Sequence, residues 1–159
     1  DIGVTGVQTC ALPISFVYSY KVRVPGYAER TGKRIFLQPA FFHRNVAAMF
    51  PTQNRQNDVY FQFAWTELDD IEIQLPDGYA LDNAEAPGSI NFGDAGNYDA
   101  SLAITKDMKT LVYKRNFKFQ TLIIGKAMYP SLKQIFDAVH QADNHAITLK
   151  QGAAATGQQ

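Results

Sequence analysis

The chain of 159 residues contains one cysteine, three histidines and one tryptophan, and its fifteen basic residues are balanced by fifteen acidic ones. Each shortage excludes something. One cysteine cannot build an intrachain disulfide framework, and three scattered histidines supply little for a metal centre. A net charge of zero argues against a nucleic-acid partner, which is held by a surplus of Lys and Arg facing phosphate. Uninterrupted apolar runs are only a few residues long, so no segment reads as a membrane span. The sequence also has no G-x-S-x-G elbow, no phosphate loop, no G-x-G-x-x-G after a strand and no H-E-x-x-H pair.

What the chain does have is apolar and aromatic material, 46% and 13% of its residues. That is enough for the core of one domain and too much for a disordered chain. Much of it alternates with polar residues. Phe16, Tyr18, Tyr20, Val22 and Val24 share one face of a predicted strand. Val59, Phe61, Phe63 and Trp65 share another, as do Ile71, Ile73 and Leu75. Further strands are expected at Arg34–Gln38, Ile90–Phe92, Tyr98–Thr105 and Lys109–Arg115, with Asp107-Met108 at a hairpin tip. Phe117, Phe119, Thr121 and Ile123 extend the alternation, and Pro76-Asp77-Gly78 marks a turn. Residues 39–51 read as irregular or as a short helix centred on 45–50, and Thr52–Asp58 as an exposed loop.

The period changes near the C-terminus. Leu132, Ile135, Phe136 and Val139 stand at i, i+3, i+4 and i+7, the spacing of an amphipathic helix, with Pro130 suited to its first turn. Ala146–Leu149 returns as a short strand, and residues 151–159 are small and polar, a disordered tail. The fold expected is mainly β, an antiparallel β-sandwich with one C-terminal α-helix. Its core should include Phe61, Phe63, Trp65, Ile71, Ile73, Leu75, Leu102, Ile104, Leu132, Phe136 and Val139.

Residues 1–15 stand apart. Val4–Ser15, VTGVQTCALPIS, matches the conceptual translation of a widely used DNA-sequencing adapter over twelve consecutive residues. On this reading residues 1–15 are not native and pack loosely, and the parent polypeptide continues upstream of Phe16. Residues 16–150 then form the genuine domain. Cys10, the only cysteine, falls inside the foreign stretch, so no cysteine nucleophile is expected of the native segment.

Few residues invite a chemical role. His140, Asp143 and His145 could form a small metal site, but imidazoles at a helix C-terminus more commonly meet its carbonyls and dipole. Glu67, Asp69, Asp70 and Glu72 are the densest acidic run, and Asp70 and Glu72 fall opposite Ile71 and Ile73 on a solvated face. Asp94, Asn97 and Asp99 lack the glycine and terminal glutamate of a calcium loop. Tyr60, Trp65 and Tyr79 could offer an aromatic platform to sugars or peptides, although Trp65 has the parity of the core. Lys114, Arg115 and Lys118 read as a solvated basic face. No catalytic residue, cofactor or metal is expected.

Three segments carry a resemblance: Val24–Arg34, VPGYAERTGKR; Asp69–Tyr79, DDIEIQLPDGY; and Tyr129–Asp137, YPSLKQIFD. Together they resemble the C-terminal region of large bacterial transglutaminase-like proteins. Such proteins carry an N-terminal β-sandwich of unknown function, a papain-like transglutaminase core and a C-terminal β-rich domain. The resemblance implies an accessory domain of an exported protein, periplasmic or at the cell surface, in intramolecular contact with an upstream core. The family's Cys–His–Asp triad belongs to that core, and nothing here matches it. A peptide- or glycan-binding sandwich is the alternative, with no nucleic acid and no membrane span in either case.

Overall fold

A computed structural model describes residues 2–11, 15–83 and 85–152 of the chain. The described residues form twelve strands and one α-helix. Strands β1 (Ile2–Ala11), β2 (Ser15–Val24), β6 (Trp65–Gln74), β8 (Gly88–Asn91), β9 (Gly96–Ile104) and β10 (Thr110–Phe119) form the large sheet. Its order is β2-β1-β6-β10-β9-β8, every neighbouring pair antiparallel. Strands β3 (Glu29–Thr31), β4 (Arg34–Leu37), β7 (Tyr79–Asn83) and β12 (Ile147–Gln151) form a second antiparallel sheet, ordered β3-β4-β12-β7. β5 (Val59–Tyr60) and β11 (Ile123–Ile124) make a short ladder, and α1 spans Tyr129–Asp143. The mainly β, antiparallel class and the single C-terminal helix agree with the sequence patterns.

Alternation decides what each strand buries. In β10, Leu111, Tyr113, Arg115, Phe117 and Phe119 point inward; β6 buries Asp69, Ile71 and Ile73; β9 buries Tyr98 and Ala100. α1 turns Leu132, Phe136 and Val139 onto this face, with the Phe136 ring within 5.8 Å of those of Phe117, Phe119 and Phe50. Leu37, Ile147 and Leu149 of the small sheet join the same core. Gly96 is required where β9 meets β10, because a Cβ there would lie 1.9 Å from the Lys118 carbonyl oxygen.

Several expectations need correcting. Phe63 is 47% exposed. The chain leaves the strand after Tyr60 and re-enters one only at Trp65, so parity does not carry across the gap. Phe61, Trp65, Leu75 and Leu102 pack against the core without being fully buried. The 45–50 helix does not form: Asn45 has φ 60°, and the helical turn is a 3-10 one at Phe41–His43. The apolar face expected of β2 is not buried on much of its length, with Phe16 and Tyr18 each about 60% accessible, as is Val17 on the other face. Finally, residues 2–11 do not lie loosely. They form β1, pairing with β2 over ten positions and with β6 over seven. Ladder bonds join main-chain groups, which every non-proline residue supplies whatever its side chain. Residues 153–159, most of the expected tail, lie outside those described. No described helix is long and apolar enough to cross a membrane.

Candidate functional site

Beneath the large sheet lies a cluster of charged side chains drawn from four parts of the chain. Arg115 of β10 is at its centre, 4% exposed, with Asp69 of β6 at 3% and Asp143 at the end of α1 at 5%. The guanidinium grips Asp143 bidentately, Nε donating to Oδ1 at 2.7 Å and Nη2 to Oδ2 at 3.0 Å. Nη1 donates to Glu67 Oε2 at 2.9 Å and lies 3.4 Å from Asp69 Oδ2. The fork geometry of arginine suits such two-point contact better than a lysine ammonium.

The 3-10 turn at Phe41–His43 brings His43 over this group. Its Nε2 is 3.0 Å from Asp69 Oδ2 and its Nδ1 is 3.8 Å from Asp143 Oδ2. Tyr98 donates its hydroxyl to Asp143 Oδ1 at 3.0 Å and lies 3.5 Å from the Tyr113 hydroxyl. Trp65 Nε1 donates to Glu67 Oε1 at 3.2 Å. Burial, and then the Asp143 carboxylate, push the Tyr98 phenol well above its ordinary range; burial foremost, against the lowering hydrogen bond with Tyr98, pushes Tyr113 up to about 12. Burial opposes the charge on Arg115, but Asp143 and the other carboxylates outweigh it and hold the guanidinium above its usual value. Asp69 Oδ1 is buried with no hydrogen-bond partner, an uncompensated desolvation.

The arrangement is closed. Both nitrogens of His43 face carboxylates, and the arginine is committed to three of them. Among the described contacts no hydroxyl or thiol is hydrogen-bonded to His43, so no nucleophile–base pair is visible. In register, Cys10 of β1 is the partner of Glu67. No group of three or more His, Cys, Asp or Glu among the described residues is placed to hold a metal ion.

The candidates from sequence are redistributed. Asp143 turns inward to Arg115 and away from His140, whose ring lies against Asn144. Asp70 stays on the outer face, paired with Lys114 at 2.9 Å. Arg115 does not join Lys114 and Lys118 on the solvated basic face expected of them; it is buried, because it has the parity of Tyr113 and Phe117. Asn97 donates to Asp99 rather than joining a cation loop with Asp94. Tyr60 and Trp65 both line an open groove of about 410 Å³ with Met49, Phe61, Phe63 and Glu67, while Tyr79 lies in a separate recess. His43 carried no sequence signal. Asp69, Glu67 and Asp143 did: they fall in phase with Ile71, with Trp65 and with the Phe136–Val139 face.

Compared with known families, the chain matches one described as "Domain of Unknown Function with solved-structure structure (DUF3858)" over residues 33–149. No curated protein and no solved structure gives a match.

Proposed function

We propose, starting from the fact that the chain belongs to the DUF3858 family, that it is a non-catalytic accessory domain of an exported transglutaminase-like protein. The observation that carries the non-catalytic part is the closure of the ionic cluster. The side chains best suited to acid, base or electrophilic work are the ones spent on each other: His43 on Asp69 and Asp143, Arg115 on Asp143, Glu67 and Asp69. Their arrangement ties β6, β10, α1 and the 41–43 turn together, as a structural clamp does. The parent's identity and its periplasmic or cell-surface address rest on the resemblance of Val24–Arg34, Asp69–Tyr79 and Tyr129–Asp137 to transglutaminase-like proteins.

On this reading the domain packs beside a papain-like core encoded upstream of Phe16, and residues 1–15 are foreign to the parent. The genomic DNA around the Phe16 codon tests it. A single reading frame leading from a Cys-, His- and Asp-bearing core into Phe16 is expected; a stop codon or an unrelated domain there overturns the reading.

A second reading is favoured by the groove that exposes Tyr60 (69%), Phe63 (47%) and Met49 (56%) beside Trp65. Aromatic faces with nearby polar groups suit peptides or glycans. Titration of the purified chain with peptide and oligosaccharide panels tests this. Binding that Tyr60→Ala and Phe63→Ala each weaken at least about tenfold, about 1.4 kcal/mol, is the expected result. Absence of binding across the panels removes this reading.

A further inference from the structure

We propose that the outer edge of β2 is a self-pairing surface, joining two copies of this chain through one continuous antiparallel sheet. β2 ends the large sheet, so among the described residues one side of its ten-residue backbone meets no strand. A sheet edge with free N–H and C=O groups is a template for another strand, and proteins blunt such edges with brevity, charge, proline or bulges. The other edges follow that rule. β8 has four residues, β3 has three and carries Glu29 and Arg30, and β7 has five and carries Asp82. β2 does not. Its first six residues, SFVYSY, contain no charge and no proline, and its pairing with β1 runs without a bulge. Phe16, Val17, Tyr18 and Tyr20 are 58, 60, 60 and 40% exposed.

The occupant that fits is a second copy, because the segment is complementary to itself. Antiparallel pairing about a two-fold axis at Tyr18 sets Phe16 opposite Tyr20 of the second copy and Tyr18 opposite Tyr18. On the other face Val17 meets Ser19. Aromatic cross-strand pairs are among the favourable ones, and like charges directly opposite are not. In this register Lys21 falls opposite position 15 and Arg23 beyond the ladder, so no cation faces a cation. The neutral net charge leaves no long-range repulsion between copies. Tyr20 is already held edge-on against Phe42, ring centroids 5.6 Å apart, which lowers the ordering cost of that rung. The interface is symmetric and isologous, the commonest form of self-association. It concerns the full chain with β1 in place, since β1 is the strand that joins β2 to β6.

Sedimentation equilibrium of the full chain over a micromolar concentration series tests the proposal, alongside Tyr18→Phe and Tyr18→Lys. The wild type and Tyr18→Phe should dimerise. Tyr18→Lys, which sets lysine against lysine at the axis, should associate at least about tenfold more weakly with an unchanged far-ultraviolet spectrum. A wild type that stays monomeric, or a dimer indifferent to Tyr18→Lys, overturns it. Hydrogen exchange gives a reading that needs no variant: amides of residues 16–20 should exchange more slowly as concentration rises, and exchange independent of concentration would refute the interface.

Discussion

Replacing Arg115 by methionine keeps much of the side chain's apolar bulk and removes its charge. In the native protein that charge faces Asp143 at 2.7 Å, Glu67 at 2.9 Å and Asp69 at 3.4 Å. One cation is therefore compensating three carboxylates, two of them almost fully buried. Unit charges about 4 Å apart interact by about 4 kcal/mol at an effective dielectric near 20. Taking the ions out of water costs several kcal/mol each, so the intact cluster contributes little net stability. Breaking it is another matter, because the carboxylates then remain buried without their partner. Arg115→Met should cost about 3–5 kcal/mol, a large share of the 5–15 kcal/mol typical of a domain. Arg115→Lys keeps the charge but loses the fork that holds Asp143 at two points, and should fall between the variant and the wild type. Urea unfolding followed by tryptophan fluorescence measures both; Trp65, hydrogen-bonded to Glu67, reports from beside the cluster. A loss below about 0.5 kcal/mol for Arg115→Met, the size of an ordinary surface change, would refute the clamp.

Three further outcomes are expected. Phe136→Ala should cost about 3–5 kcal/mol, since its ring fills the space between α1 and β10, whereas Phe63→Ala, at an exposed site, should stay within about 1 kcal/mol in the same urea assay. Gly96→Ala should abolish or severely weaken folding, read by circular dichroism, because its Cβ would overlap the Lys118 carbonyl at φ +138°. Stability should fall as pH rises above about 10: burial raises Tyr27 and Tyr113 from 10.0 to about 12 in the folded state, so the unfolded chain releases protons first and unfolding gains from each further step. Alkaline unfolding curves check this, and Tyr113→Phe should flatten them between pH 10 and 12.

The strands were legible where alternation was uninterrupted. β10 reads directly from Leu111, Tyr113, Phe117 and Phe119, and α1 from the Leu132–Val139 spacing. Legibility failed at breaks in backbone direction, as between Tyr60 and Trp65, where the phase of Phe63 could not be inherited. It also failed for β1, which pairs with β2 and β6 through main-chain groups that every non-proline residue supplies. For the cluster, parity already placed Arg115 with Tyr113 and Asp69 with Ile71. Their charge argued for solvent, and only the tertiary partners reversed that. His43 was beyond reach, because the turn that delivers it to Asp69 is local while the carboxylates it meets are 26 and 100 residues away along the chain.

We propose above all that this domain carries a clamp and no catalytic machinery of its own. Amine incorporation into a glutamine-containing peptide by the purified full chain tests it most directly, run beside Cys10→Ser and His43→Ala. The predicted result is no turnover above the protein-free control for any of the three. Turnover by the wild type that either substitution removes would contradict it, because a thiol or imidazole read here as uninvolved would then be performing the reaction.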